Sequence, residues 1–376
     1  MTTTTVVRAL GDLAHDGVHP RTAACDCAPA QVLADRADGT VVRRGGIVAK
    51  AHAPDTDGPA LAARLALAAT PALAGILLPP LPAPRAEGPS STTGPGPVGP
   101  HRPHRPAADH APTNAGQPPE HRPSGQDPSR TAPSPPGPLP GPSQTVLEGR
   151  PVTLWPHGSP VDPSDPDAAP WEEAAVLLAR LHGTRPPLPL PPMRGPLKAA
   201  LAVARMCAAR PGDPATHAVL AAWRRLPPWA RDETPAPAHR AGLLCHGDLH
   251  LGQLVRHPAP HGPWLLIDVD DAGLGDAAWD LARPAAWYAA GLLPPDIWHR
   301  FLDAYRRAGG PAVRAEGDPW PDLDVPARAL TVQTAALAFA KSAAEGRSPD
   351  EVEQMMIDAC ARIASLPPEL AVQRSS

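Results

Sequence analysis

Lysine and asparagine are almost missing from this chain: Lys50, Lys198 and Lys341 are its only lysines and Asn114 its only asparagine. Coding bias toward GC-rich codons would produce this, and arginine carries positive charge nearly everywhere else. A lysine here is therefore an informative residue. No run of about 18 apolar residues is present, which excludes a spanning helix of the usual kind. The N-terminus, MTTTTVVRALGDLAHDGVHP, lacks the basic segment and apolar core of a secretory signal, so a soluble cytoplasmic protein is expected. A formal charge of −4 and a pI near 6.5 give no basic field to draw a nucleic acid. Neither a nucleic acid nor a membrane is an expected partner, and nothing in the sequence names a protein partner.

The five cysteines, Cys25, Cys27, Cys207, Cys245 and Cys360, are odd in number and show no CxxC spacing. That excludes a disulfide framework or a zinc ribbon and predicts free thiols. Cys25-Asp26-Cys27 reads as a redox or metal pair only if two more ligands lie nearby, and the sequence offers none close by.

What is present suffices for real cores: 376 residues, 42% of them hydrophobic, are enough for two lobes or domains. Residues 30–53 read as short strands broken by turn signals at Asp38-Gly39 and Gly45-Gly46, with Val and Ile alternating toward Lys50. A helix is predicted over 60–75, followed by a strand in GILLPPLP. From Ala83 to Ser143 the chain fills with Pro, Gly, Ser, His and Thr and cannot bury enough surface to offset its ordering entropy. It is expected to be a disordered insertion, with HRPHRP at 101–106 read as part of a solvated loop rather than as a site for an acidic partner or a metal. VLEGRPVTLWPHGSPVD resumes as a hairpin around Gly149-Arg150. PWEEAAVLLARLHG then predicts a helix, with Pro170 in its first turn, Glu172 and Glu173 on its dipole and Gly183 as its stop. Further helices are predicted over 197–209, 214–226, 277–291, 295–308, 326–345 and 349–365.

One strand-rich island interrupts the helical half: LLCHGDLHLGQLV, a turn-rich RHPAPHGP, and PWLLIDVDD. Folded as a hairpin, it brings Asp248 at the mouth of the loop close to Asp268 at the end of the returning strand, with the Gln253 amide nearby. Phosphoryl transfer from a nucleotide needs such a set: a carboxylate to orient an incoming hydroxyl and accept its proton, and oxygen ligands to hold Mg²⁺ against phosphates.

The pattern HGDLHLGQ…LLIDVDDAGLGDAAWDLA resembles the catalytic core of the aminoglycoside phosphotransferase and choline kinase superfamily, relatives of the protein kinases, and HGDLHLGQ itself resembles the loop of maltokinase-like sugar kinases. The resemblance covers roughly residues 30–80 and 145–345 and is specific only over 244–284. It implies an α+β, two-lobed protein-kinase-like fold with a small strand-rich N-lobe, residues 1–157, and a larger mainly helical C-lobe, residues 158–370. It implies Asp248 as the catalytic carboxylate and Asp268 as a Mg²⁺ ligand, with Asp270 supporting the metal. Gln253 stands where the family usually has a metal-binding asparagine; it carries the same amide on one more methylene. Lys50, in IVAKAH, is the expected phosphate-binding lysine, although the following helix has Arg64 and no glutamate to pair it, which leaves Asp55 or Asp57 as substitutes, or a lysine held in another way. A clear glycine-rich phosphate loop is also missing.

Backbone groups of about Leu154 to Pro156 would meet the adenine edge, with Trp155 nearby, although Trp155 at such a boundary is more often a core residue. His246, Asp276 and Asp280 are expected to brace the loop, and the two aspartates read first as helix-start acids. His250 reads equally well as a structural hydrogen-bonding residue. The expected activity is transfer of the γ-phosphoryl of ATP, or of GTP, with Mg²⁺, to a hydroxyl of a small molecule such as an aminoglycoside or sugar. The acids between Asp296 and Asp324 would suit an aminoglycoside, or are simply a solvated face. Two rival readings are a nucleotide-binding pseudokinase acting as an interaction module, and a metal-dependent hydrolase built on the HxDxH of His246, Asp248 and His250.

Overall fold

The computed structural model describes residues 3–17, 19, 28–36, 39–82 and 145–366. The expected insertion at 83–143, the HRPHRP motif and Cys25-Asp26-Cys27 lie outside the described residues. The described residues belong to one compact unit.

The first helix, α1 (Thr3–Asp16), is one the sequence reading missed. Its β-branched opening, TTTVV, has poor helix propensity. What holds it is packing: Leu10 and Ala14, one turn apart, are fully buried with Val42, Ile47, Ala49, Ala51, Val152 and Leu154. Those residues line one face of a five-stranded antiparallel sheet built from β1 (Gln31–Arg36), β2 (Gly39–Arg44), β3 (Ile47–His52), β4 (Thr145–Leu147) and β5 (Arg150–Pro156), in the order β1-β2-β3-β5-β4. Strand alternation sends Ile47, Ala49 and Ala51 toward α1 and Val48, Lys50 and His52 to the opposite face. The helix after β3, α2 (Gly58–Ala68), is capped by Asp57, whose carboxylate accepts the Ala60 N–H at 3.0 Å. It is shorter than the predicted 60–75 because Pro71 starts a separate 3₁₀ turn. The predicted strand at 75–82 makes only isolated bridges, Leu77 with Leu266 and Leu81 with Leu154. Pro79 and Pro80 have no N–H to extend them.

The rest is mainly helical: α3 (Trp171–Gly183), α4 (Gly195–Ala209), α5 (His217–Arg224), α6 (Ala282–Ala290), α7 (Pro295–Arg307), α8 (Trp320–Glu345) and α9 (Glu351–Ser365). Short strands sit among them. β6 (Ser159–Pro160), β8 (Leu254–Arg256) and β9 (Trp264–Leu266) form one small sheet, and β7 (Leu243–Cys245) pairs with β10 (Gly273–Gly275). The predicted segment 277–291 divides into a 3₁₀ turn at Ala277–Trp279 and α6, which stops at Gly291 in the left-handed region.

Helix α8 starts six residues before the expected 326, with Pro326 inside it. A proline there leaves the carbonyl four residues earlier without its helical donor. That carbonyl, Asp322 O, accepts instead from Arg240 Nη1 at 3.3 Å, and the helix continues through the proline. One large core joins α3 to α9 with α2 and the small strands; Trp298, Phe301 and Tyr305 of α7 are among its fully buried side chains. No helix among the described residues is long and apolar enough to cross a membrane.

Candidate active site

The loop between β7 and β8 carries the polar residues singled out in the sequence, and its shape is fixed from below. Gly247 sits at φ +86°, and a Cβ there would run into the Asp271 carbonyl, so only glycine fits. The N–H groups of His246 and Gly247 both donate to Asp280, at 2.6 and 2.7 Å. Asp280 is fully buried and also accepts from His182 Nε2 at 3.0 Å. His182 Nδ1 in turn meets the Tyr305 hydroxyl at 2.8 Å, and that oxygen accepts the Ala312 N–H at 2.9 Å. Tyr305 therefore donates to Nδ1, and His182 carries its proton on Nε2. Burial works against the Asp280 charge, but His182 and the loop amides hold the carboxyl below its usual range. The His246 ring is buried, with Nε2 on the Ile267 carbonyl at 2.8 Å. Asp280 is thus a loop brace and not a helix-start acid. Asp276 is a helix-start acid: it accepts the Ala278 N–H at 3.0 Å, and it forms an ion pair with Arg240 at 2.9 Å.

Asp248 projects from this loop between two cations. Lys198 Nζ lies 2.6 Å from Oδ2, and Arg283 Nη2 lies 2.7 Å from Oδ1. Burial would raise its pKa, yet Lys198 and Arg283 together hold it well below the ordinary carboxylate value. Lys198 also reaches Asp271 at 2.7 Å. For Asp271 burial dominates, and its carboxyl is pushed up despite that lysine. Lys198 comes from α4 and Arg283 from the start of α6, so two helices far apart in sequence set the charge of one side chain. Beside them His250 is half-buried, and burial, with the Arg283 charge second, lowers it to about 4. It is neutral at neutral pH.

A second cluster forms where β3 faces the loop after β9. Lys50 Nζ lies 2.7 Å from Asp268 and 3.0 Å from Asp270. Asp270 also meets His52 Nδ1 at 3.0 Å, and His52 Nε2 contacts Thr153 Oγ1 at 2.9 Å. Burial alone would weaken the Lys50 charge, but the two aspartates raise its pKa on balance; the Asp270 carboxyl is held low by Lys50 and His52 against the same burial. Asp268 sits at φ +61°, a left-handed conformation rarely adopted by a residue with a side chain and typical of places where function fixes the backbone. Gln253 Nε2 lies 3.5 Å from the other Asp268 oxygen.

Asp268 and Asp270 thus offer carboxylate oxygens at one place, the hard donors that Mg²⁺ takes, with the Gln253 amide facing Asp268 through its nitrogen. The residues present fit that ion. The missing helix glutamate finds its explanation here as well. Lys50 is held by Asp268 and Asp270, Asp57 is occupied as a helix cap, and Arg64 turns away to donate to the Ala272 carbonyl at 2.7 Å.

The expected adenine contact at Leu154 needs correction. Its side chain is buried in the sheet's α1-facing core and its carbonyl accepts the Leu81 N–H at 2.8 Å, so neither is offered to a ligand. The chain leaves the sheet only after Pro156, which makes His157-Gly158 the connection to β6. A Cβ on Gly158 would collide with Val255. Trp155 is a core residue, its indole N–H on Thr153 Oγ1 at 3.0 Å. The sequence reading missed Lys198, Arg283, Asp271 and His52. One signal was available: Lys198 is one of three lysines in a chain that otherwise uses arginine.

Comparison with known proteins gives this geometry its context. In solved structures, similar folds include a choline/ethanolamine kinase family protein from Mesorhizobium loti, 13% identical, covering 99% of this chain and 97% of that one, TM-score 0.52. The aminoglycoside phosphotransferase APH(4)-Ia is 12% identical, with 97% and 100% covered and a TM-score of 0.53. A thermostable mutant of the latter, solved in ternary complex with AMP-PNP and hygromycin B, is likewise 12% identical over 97% and 100%, TM-score 0.52. These likenesses establish the fold: α+β and protein-kinase-like, a strand-rich N-terminal part and a helical C-terminal part. Among curated proteins no sequence matches. The family model described as "Phosphotransferase enzyme family" matches residues 133–320, a span that takes in β5 and both lysine-binding aspartate pairs. The chain belongs to the phosphotransferase enzyme family.

Proposed function

We propose that this phosphotransferase moves the γ-phosphoryl group of ATP onto a hydroxyl of a small molecule, with residues 1–157 and 158–370 as the two lobes around the reaction. One observation carries the reading: Lys50 from the sheet and the carboxylates of Asp268 and Asp270 meet in one cluster beside the Gln253 amide, while Asp248 projects from the same loop that bears Gln253. In this reading Lys50 binds phosphate oxygens, and Asp268, with Asp270 and Gln253, holds Mg²⁺. The ion, when bound, neutralises charge on the phosphates. Asp248 orients the acceptor hydroxyl and takes its proton. Lys198 and Arg283 keep Asp248 ionised and aimed. Trp155 sits close to the nucleotide side as a packing residue.

The rival interaction-module reading drew on Gln253 and on the missing helix glutamate, and the two aspartates on Lys50 weaken the second ground. The hydrolase reading needs His246, Asp248 and His250 on one metal, whereas His246 points at a backbone carbonyl and Asp248 at two cations.

The test is Mg²⁺-dependent ATP turnover with sugars, aminoglycosides and amino alcohols as acceptors, for wild type and Asp268→Ala. A phosphorylated acceptor that disappears in the variant is the expected result. A wild type that binds no Mg²⁺-ATP would overturn the reading.

A further inference from the structure

The surroundings of Asp248 carry information about the acceptor beyond the fact that it bears a hydroxyl. Three cations, Lys198, Arg283 and the more exposed Arg194, stand against two carboxylates, Asp248 and Asp271; Arg194 Nε is 3.8 Å from Asp271 and the other contacts are ion pairs of 2.6 to 2.7 Å. Among these five groups the excess is one positive charge beside Asp248. An ammonium-rich acceptor would be repelled there, and a neutral one would leave the excess unbalanced.

Arg283 also has a hand to spare. Its Nε donates to the Leu249 carbonyl at 3.0 Å and its Nη2 to Asp248, which leaves Nη1 without a protein partner among the described residues. The same residue lines a pocket of about 160 Å³ beside the loop, with Trp171, Leu249, Leu251 and Trp287 as apolar wall and His250 at the edge. The lining is almost wholly apolar, and an apolar cavity of about 150 Å³ is known to admit one benzene ring. Guanidinium and apolar pocket thus adjoin the carboxylate that would receive the hydroxyl.

We infer that the acceptor is a small hydroxy carboxylic acid with a compact apolar body, its carboxylate held by Arg283 and its ring or branched chain in the pocket beside Leu249. This rests on the phosphotransferase reading above. A monoanion balances the single excess charge, and its carboxylate lies a few bonds from the reacting hydroxyl because Arg283 touches both partners' positions. Chemically the transfer is balanced in the ordinary way: the hydroxyl oxygen forms the new P–O bond, the bond to the bridging oxygen of ADP breaks, and the hydroxyl proton leaves through Asp248.

Three probes that share a phenylpropyl body and differ in charge test it by calorimetry on the full chain: phenyllactate, the neutral phenylpropanediol and the cationic phenylalaninol, each titrated after Mg²⁺-ATP binding has been measured alone. Wild type should bind phenyllactate at least about tenfold more tightly than the diol, with phenylalaninol weakest. Arg283→Gln should reduce that preference to within about twofold, while Trp287→Ala weakens all three alike. Because the ranking is read on wild type, an unstable variant does not blunt it. Equal affinities, a preference for phenylalaninol, or no binding of any probe by a chain that binds Mg²⁺-ATP would overturn the inference. Arg283-dependent binding of phenyllactate by a chain that binds no Mg²⁺-ATP would keep the anion pocket and sink the phosphotransferase reading instead.

Discussion

Two of the three lysines in this chain are each clamped between two aspartates, and the two clamps differ in what they join. Lys50 reaches from β3 across to Asp268 and Asp270, partners 218 and 220 positions later, in the helical part of the molecule. Lys198 never leaves that part, joining α4 to Asp248 and Asp271. On the proposed reading, a lysine whose partners are candidate metal ligands can exchange them: the ammonium would take phosphate oxygens and the carboxylates would hold the ion, so no charge is stranded. Lys198 has no such exchange open to it. On the same reading it would stay on Asp248 and belong to the acceptor side.

The largest effect that would break this comparison lies at Asp248 itself. Asp248→Asn should lower phosphoryl transfer by about a hundredfold to ten-thousandfold, the range for losing a positioned proton acceptor. Mg²⁺-ATP affinity should stay unchanged, since the nucleotide clamp is separate. A variant retaining wild-type turnover would remove Asp248 from the chemistry.

Below the loop, Asp280→Ala leaves the His246 and Gly247 amides and His182 without their shared acceptor in a fully buried place. Denaturant unfolding should register a loss of about 3 to 5 kcal/mol. Rescue by Asn is expected to be partial, because an amide offers one acceptor oxygen where the carboxylate offers two.

The lysines themselves sharpen the contrast. Lys50→Met should raise the KM for ATP about tenfold or more, the cost of a lost charged hydrogen bond, with acceptor affinity kept. Lys198→Met should do the reverse, leaving the KM for ATP within about twofold and acting on kcat and the acceptor. Initial-rate kinetics varying each substrate in turn separate the two; matching effects would mean the clamps act as one site.

How much of this was legible beforehand follows the same division. Lys50, Asp268 and Asp248 were readable because each sits in a local pattern: a strand of alternating apolar residues, an IDVD segment, an HGD loop. Lys198 and Arg283 were not, since GPLKAALAV and DLARPAAW look like ordinary helix starts, and only the packing of α4 and α6 aims their side chains at Asp248. Leu154 was misread for a related reason. The apolar run VTLW looks like the last residues before a linker, but the strand continues to Pro156 because β3 is long enough to pair that far, Ile47 against Pro156. Helix α1 was hidden by its threonines, whose weak propensity is outweighed by a sheet face that needs covering.

The smallest expected effect is a dependence on pH, and it probes the acceptor side alone. His250 titrates at about 4 in the folded chain against an ordinary 6.5, chiefly through burial and next through Arg283. Its folded pKa is lowered, so between those values the unfolded chain binds a proton that the folded chain refuses. The stability tied to His250 is therefore complete above 6.5, declines as pH falls toward 4, and levels off once both states are protonated. For a half-buried ring this amounts to about 2 kcal/mol. Unfolding free energies of wild type and His250→Gln, compared at about pH 7 and about pH 4.5, should differ in slope by that much. Arg283→Gln should shrink the slope in part, because it removes the second cause and leaves the first, whereas Lys50→Met, on the other clamp, should leave it untouched. A slope equally sensitive to both would mean that the two lysine clusters share one field, and the separation between a nucleotide side and an acceptor side would lose its electrostatic ground.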